Sequence, residues 1–306
     1  MKLKETFFIL IAITSSLATG QSSMPSKKYV AIQGRNVCYY EQGQGEVIIL
    51  LHGWPQTSYA WRKVIPILSE THRIIAIDLP GTGCSEPTAK YDTKSIAAIV
   101  RNITSKLGIT SFHLVGHDVG AWVAATYALL YEEQLNTLTL IEAGIPGLIN
   151  PSLFVPENAD KIWQFYFNQI EMLPEELIAG KEKTYLSWFF NRKSFVKPAI
   201  SKKDLNMYYK AYKGKKRLKN GFNYYRAFNK SSEYNIELKK IIHIPVLAIG
   251  GSYAVGYGVG KSVESITTDL KSVSLDNCGH YIPEEKPVEL SRLIQELIAG
   301  SQRNKE

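Results

Sequence analysis

The stretch Phe112-His113-Leu114-Val115-Gly116-His117-Asp118-Val119-Gly120 carries the first strong signal in this chain of 306 residues. It opens as a short apolar strand pattern, and residues 119–131 then repeat with helical spacing, so Asp118 falls on the turn between strand and helix. Gly116 and Gly120 flank the aspartate two residues to either side. That form, small-x-nucleophile-x-small, is a nucleophile elbow, whose turn is so tight that a large flanking side chain would strike its neighbours. The nucleophile slot holds Asp, not Ser.

Working outward, residues 46–51, 74–78 and 137–142 are further short apolar runs, as expected of strands buried on both faces. Residues 58–69 and 94–107 show helical spacing between them. Residues 28–33 and 36–41 read as a hairpin around Gly34. This alternation predicts an α/β fold, a mostly parallel sheet flanked by helices. From Pro146 to about Leu238 the strand signal stops, and amphipathic helical stretches rich in aromatics replace it. Strand patterns resume at 245–250 and 271–275, and a last helix is expected near 287–298. The expected organisation is therefore one core, residues 21–146 and 239–306, with an all-helical cap at 147–238 inserted into it.

Residues 1–20, MKLKETFFILIAITSSLATG, combine Lys2 and Lys4, an apolar run from Phe7 to Ile13, and the small residues Ala18-Thr19-Gly20 before Gln21. This is the pattern of a secretory signal peptide cleaved near Gly20-Gln21. Its apolar run falls far short of the ~20 residues that cross a membrane, so the expectation is a secreted or periplasmic protein with no integral span. Composition is that of an ordinary globular chain, 45% hydrophobic and 21% charged, which excludes collagen-like, disordered and coiled-coil classes. The formal net charge is +8, yet residues 181–240 hold 17 Lys or Arg against 4 Asp or Glu, leaving −5 for the rest. A basic block confined to the cap, in an exported protein, argues against nucleic acid and points at most to an anionic substrate or surface. Three cysteines, Cys38, Cys84 and Cys278, are too few for a disulfide framework, so packing is expected to hold the fold.

The other chemistry-bearing residues fall on loops after strands. Leu51-His52-Gly53-Trp54-Pro55 follows the third strand, where the second oxyanion donor belongs, so the backbone N–H groups of Trp54 and Val119 are the expected oxyanion hole. Asn277-Cys278-Gly279-His280-Tyr281 follows the last strand and supplies His280 as base. The loop after the strand ending at Gly250 offers no carboxylate, and Glu142, at the end of the strand before the cap, is the available third member. The six histidines are scattered without ligand spacing, which gives no metal site. No glycine cluster matches a phosphate loop or dinucleotide fingerprint, so no cofactor is expected.

Together these motifs resemble the α/β-hydrolase superfamily over essentially the whole mature chain. Asp118 with His52-Gly53-Trp54-Pro55 is similar to its epoxide hydrolase branch, which shares an Asp mechanism with haloalkane and haloacetate dehalogenases. Ile141-Glu142-Ala143, Leu177-Ile178-Ala179-Gly180-Lys181-Glu182 and Tyr224-Tyr225-Arg226-Ala227 narrow the resemblance to secreted epoxide hydrolases of the Cif type. Chemistry points the same way. A carboxylate is useful against an electrophilic sp³ carbon, where it displaces an oxygen or halide and leaves an alkyl ester on the enzyme.

The resemblance implies that the cap supplies hydrogen bonds or a proton to the epoxide oxygen. Tyr225 matches the family's tyrosine. In Cif-type enzymes a histidine follows the cap tryptophan, whereas here Trp163 is followed by Gln164, an amide that can donate a hydrogen bond but not a proton. Tyr166 is a substitute only if a helix could turn it to the same face. Trp163, Phe165 and His52 complete the expected pocket. The expected partner is a small-molecule epoxide, anionic and lipid-derived ones included, and a homodimer is compatible with the resemblance. The alternatives are a dehalogenase, although Val119 and Trp122 with no Arg near the nucleophile do not make its usual halide cradle, and a non-catalytic binding protein of the same fold.

Overall fold

The computed structural model describes residues 24–238 and 240–303; the leader expected over residues 1–20 lies outside them. Its centre is an eight-stranded sheet: β1 Lys27–Ile32, β2 Arg35–Gln42, β3 Val47–Leu51, β4 Arg73–Ile77, β5 Phe112–His117, β6 Leu135–Ile141, β7 Val246–Gly251 and β8 Leu270–Leu275. The strand order is β1-β2-β4-β3-β5-β6-β7-β8. β2 runs antiparallel to both its neighbours, and every later pairing is parallel. β5 is buried along its whole length, as a central parallel strand covered on both faces must be.

Successive strand residues point to opposite faces, and two separate cores result. Ile49, Leu51, Ile75, Ile77 and Leu114 pack on one side, and Ile48, Leu50, Ile74, Ala76 and Val115 on the other. The expected helix over 58–69 is instead a 3-10 turn, Ser58–Lys63, followed by the single helical turn α1, Ile65–Leu68. Pro66 explains the break, because its ring cannot supply an N–H to a continuing helix. α2, Thr93–Lys106, begins where Asp92 accepts the Ser95 N–H at 2.9 Å, an N-cap that satisfies one first-turn donor. α3, Val119–Tyr131, is apolar nearly all round and buried from Val119 to Leu129, which suits a helix wedged between sheet and cap.

Between β6 and β7 the described residues form helices and no strand: α4 Ala159–Gln169, α5 Leu173–Ile178, α6 Glu182–Lys193, α7 Lys202–Tyr212, α8 Lys215–Arg226 and α9 Phe228–Leu238, with two short 3-10 turns before them. After β7 come α10 Gly258–Val263, α11 Ile282–Glu285 and α12 Pro287–Arg303. The cap helices close over the loops that follow β3, β5 and β8. Phe189, Phe222 and Tyr225 crowd Trp54 at centroid distances of 5.0, 6.2 and 5.4 Å. Tyr212 donates to the Gln56 carbonyl at 2.8 Å.

The three cysteines make no framework, as expected, but they add one cross-link to the packing. Cys38 and Cys84 form a disulfide with Cα atoms 5.5 Å apart, and only Cys278 is free. The antiparallel pairing of β2 with β4 brings Cys38 beside the loop that leaves β4; cysteine number says nothing of such proximity.

Candidate active site

Asp118 has φ +52° and ψ −119°, a conformation costing a non-glycine residue roughly 1–3 kcal/mol, which the surrounding packing must offset. The flanking glycines let the packing close in: a Cβ on Gly116 would meet Gly120 O at 2.3 Å, and one on Gly120 would meet Leu51 O at 2.3 Å. The strained turn lifts the carboxylate off the end of β5. Trp54 N donates to Asp118 Oδ1 at 2.8 Å. Val119 is the first residue of α3, so its N–H is among the first-turn donors with no partner inside the helix, and the helix dipole there favours negative charge. Of the two expected oxyanion donors, the Trp54 N–H is thus seen on the Asp118 carboxylate, and Val119 stands at the helix start beside it.

His280 Nε2 lies 3.6 Å from Asp118 Oδ2 and Nδ1 lies 3.0 Å from Glu142 Oε2. The first gap exceeds a hydrogen bond. It sets the imidazole beside the Asp118 carboxyl group, nearly in contact with it. Glu142 is buried, and its other oxygen accepts the N–H groups of Gly251 at 2.6 Å and Val255 at 3.1 Å. The loop after β7 therefore contributes no acid of its own and uses its backbone to hold the one supplied by β6. The buried His117 is held by its Nε2 contact with the His280 carbonyl at 2.8 Å. Burial and the neighbouring His280 keep it well below the ordinary histidine pKa, hence neutral. With Nε2 donating, its proton sits there.

Tyr225 on α8 is buried, with its ring edge-on to Trp54, Trp122 and Phe165 at 5.4, 5.7 and 5.4 Å. Its hydroxyl has no hydrogen-bond partner among the described residues. Burial first, then the charge of Asp118, push its pKa well above the ordinary tyrosine value. Phe165 and Tyr225 thus share one wall. Trp163 stands further back, stacked on Phe189 at 5.4 Å with 22° between the rings. Tyr166 is 55% exposed, on the outer face of α4.

Two expected site residues are engaged elsewhere. His52 was expected to line the pocket. Instead its Nε2 accepts the Leu79 N–H at 3.1 Å and its Nδ1 donates to Gly53 O at 3.0 Å, so it ties the Trp54 loop to the loop after β4. Gln164 is buried, and its amide end lies 2.7 Å from Lys193 Nζ and 3.2 Å from Lys161 O, which assigns Oε1 as acceptor from the ammonium and Nε2 as donor to the carbonyl. Lys193 itself had escaped notice; it is one cation in a block of 17, and nothing in its sequence context marks it.

Comparison with known proteins agrees with this geometry. The family model for the alpha/beta hydrolase fold matches residues 46–287. The chain is 31% identical over 262 residues to a soluble epoxide hydrolase from Corynebacterium sp. (strain C12), covering 84% of this chain and 91% of that protein. Among solved structures, Cfl2 from Burkholderia cenocepacia superposes with a TM-score of 0.85 at 35% identity, covering 91% and 97% of the two chains. The Cif epoxide hydrolase from Acinetobacter nosocomialis shares the fold, with a TM-score of 0.83, 24% identity and coverage of 89% and 88%. An aspartate on the elbow and a histidine held by Glu142 thus belong to a chain that is a member of the alpha/beta hydrolase fold family, in its epoxide hydrolase branch.

Proposed function

We propose that this protein hydrolyses an epoxide to a vicinal diol through an alkyl ester on Asp118. The single observation that carries the reading is the Asp118 carboxylate itself, held by the Trp54 N–H on one oxygen and faced by His280 on the other. In the first half-reaction Asp118 forms a C–O bond to a ring carbon, the ring C–O bond breaks, and Tyr225 hydrogen-bonds the departing oxygen, which takes up a proton that is returned when Asp118, released from the ester as a carboxylic acid, ionises. In the second, His280 takes a proton from water, whose oxygen adds to the Asp118 carboxyl carbon. The ester oxygen then leaves, receiving the proton from His280. The negative charge on the tetrahedral carbon's oxygen meets the Trp54 and Val119 N–H groups, each such donor contributing roughly 3–4 kcal/mol in comparable sites. Glu142 fixes the imidazole tautomer and stabilises its protonated form.

The finer reading is a Cif-type enzyme exported to the periplasm or beyond, acting on epoxides that include anionic and lipid-derived ones. The leader pattern of residues 1–20 supports export, and so does the Cys38–Cys84 disulfide, since such bonds persist in oxidising compartments.

Intact-protein mass spectrometry of a His280→Gln variant tests the chemistry. With the base removed, incubation with styrene oxide is expected to leave an adduct of substrate mass on Asp118. Labelling by a haloalkane and by no epoxide would overturn the substrate class in favour of a dehalogenase. A folded variant labelled by neither would remove the enzymatic reading.

A further inference from the structure

Lys193 ends α6 where the cap meets the catalytic histidine. Its carbonyl accepts the His280 N–H at 2.8 Å, so the backbone of the two residues is tied together. Its side chain is partly buried. Nζ donates to Gln164 Oε1 at 2.7 Å and lies 5.6 Å from the centroid of the Phe189 ring. Phe189 packs edge-on against Trp54 at 5.0 Å, and the Trp54 N–H binds Asp118. Among the described residues no carboxylate forms a salt bridge with this ammonium; the charges of Asp118 and Glu142 act on it, opposed by that of Arg192.

Ring opening needs a proton at the departing oxygen, and the expected sources are poor. Gln164 has no proton to transfer, and its amide oxygen is occupied by Lys193. Tyr225, its pKa raised by burial and by the Asp118 charge, is a hydrogen-bond donor but a reluctant acid. An ammonium whose acidity lies nearer neutrality matches the task better, because general acids work best with a pKa near the operating pH.

We propose that Lys193, positioned by Gln164, is the acid that protonates the epoxide oxygen while Tyr225 hydrogen-bonds it. This rests on the epoxide hydrolase reading. As Asp118 bonds to carbon and the ring C–O bond breaks, the electron pair moves to oxygen, which takes a proton from Nζ and leaves a neutral amine. Hydrolysis of the ester adds water and regenerates Asp118 as a carboxylic acid; its proton, released on ionisation, restores the ammonium. The sum is epoxide plus water to diol. Burial lowers the Lys193 pKa to about 8, with Asp118 and Glu142 opposing that shift and Arg192 adding to it. His280 from its loop and Tyr225 from α8 are the other titratable groups at the site. Gln164 is then a positioning residue, and only its neighbour touches substrate.

The test is the rate of Asp118 alkylation in the His280→Gln background, followed by rapid-quench mass spectrometry with neutral styrene oxide and with a carboxylate-bearing epoxide. The parent is expected to alkylate at a rate that falls above about pH 8, where the ammonium is lost. Adding Lys193→Met should slow both substrates about a hundredfold, the lower range for general acid catalysis, and abolish that falling limb. Adding Lys193→Arg keeps a cation that cannot give up its proton, and should stay slow. Thermal melts of both variants establish that they fold. Unchanged alkylation in Lys193→Met overturns the proposal. So does full recovery in Lys193→Arg, which would mean charge alone suffices, or a loss confined to the carboxylate-bearing epoxide, which would make Lys193 an anion anchor. No alkylation of the parent by either epoxide overturns the function and not this assignment.

Discussion

His52 and His117 show how single residues brace this site by staying neutral. Each is buried, and burial is the leading cause of its lowered pKa. The unfolded chain binds a proton at each below about pH 6.5, whereas the folded chain does not. Stability is therefore fully present above that pH and is lost as pH falls through it, by at most roughly 1.4 kcal/mol per pH unit for each histidine. Urea midpoints at pH 7.5 and 5.5 should show the loss, and His117→Gln, removing the more strongly shifted of the two, should make that difference smaller. An equal pH difference in the variant would sink the idea. Both histidines read in the sequence as supports for loops, but nothing there showed which partner His117 takes. Its hold on the His280 carbonyl spans 163 residues, a separation at which no local pattern survives. The nucleophile could be read because the requirement is local: two small residues around one aspartate.

At the scale of elements, cap and core are joined by a buried polar latch. Arg62, in the turn after β3, makes two hydrogen bonds to Glu284 of α11, at 2.5 and 2.7 Å. Tyr208 of α7 donates to the same carboxylate at 2.7 Å and accepts from Gln56 at 3.1 Å. Asp204 of α7 adds a second acid 3.0 Å from Arg62. Removing one partner of a buried pair costs about 3–5 kcal/mol, because the other charge is left uncompensated. Glu284→Gln should fall near 3 kcal/mol, since Asp204 remains. Denaturant unfolding measures the loss, and a change below about 1 kcal/mol, the value of an exposed pair, would show that the latch is dispensable. α2 and α12 were legible from periodicity because each buries a regular stripe, and the central strands and α3 because they are continuous apolar runs. The residues 58–69 were not, since helical spacing survives across Pro66 while the helix itself does not. The latch was invisible for another reason. Its carboxylate and guanidinium lie 222 residues apart, and only the closed fold brings them together.

For the molecule as a whole, the disulfide and the charge distribution matter most. Cys38–Cys84 closes a loop of 46 residues, and cross-linking of that length contributes about 2–4 kcal/mol. A Cys38→Ala/Cys84→Ala variant should lose that much and become indifferent to reductant, whereas Cys278, whose thiol burial pushes up, should stay unreactive in the folded protein. An unchanged urea midpoint in the double variant would show that packing suffices. Taken over the whole cap, the charge is less sharply divided than the block at 181–240 suggested. Residues 147–238 carry 16 Lys or Arg and 9 Asp or Glu, while the core segments 21–146 and 239–306 balance to zero. Part of the cap's positive charge is spent locally, in the pairs Arg192–Asp160, Lys215–Glu176 and Arg226–Glu175. The remainder sets a positive field on the side of the molecule that covers the site. Such a field raises the encounter rate of anions and is erased by salt, as the Debye length shrinks from about 30 Å at 0.01 M to about 10 Å at 0.1 M. For a carboxylate-bearing epoxide, kcat/KM should therefore fall by roughly three- to tenfold between those ionic strengths, with a neutral epoxide of similar size unaffected. Equal salt dependence for both substrates would mean that the basic cap is a solvated surface with no part in substrate capture.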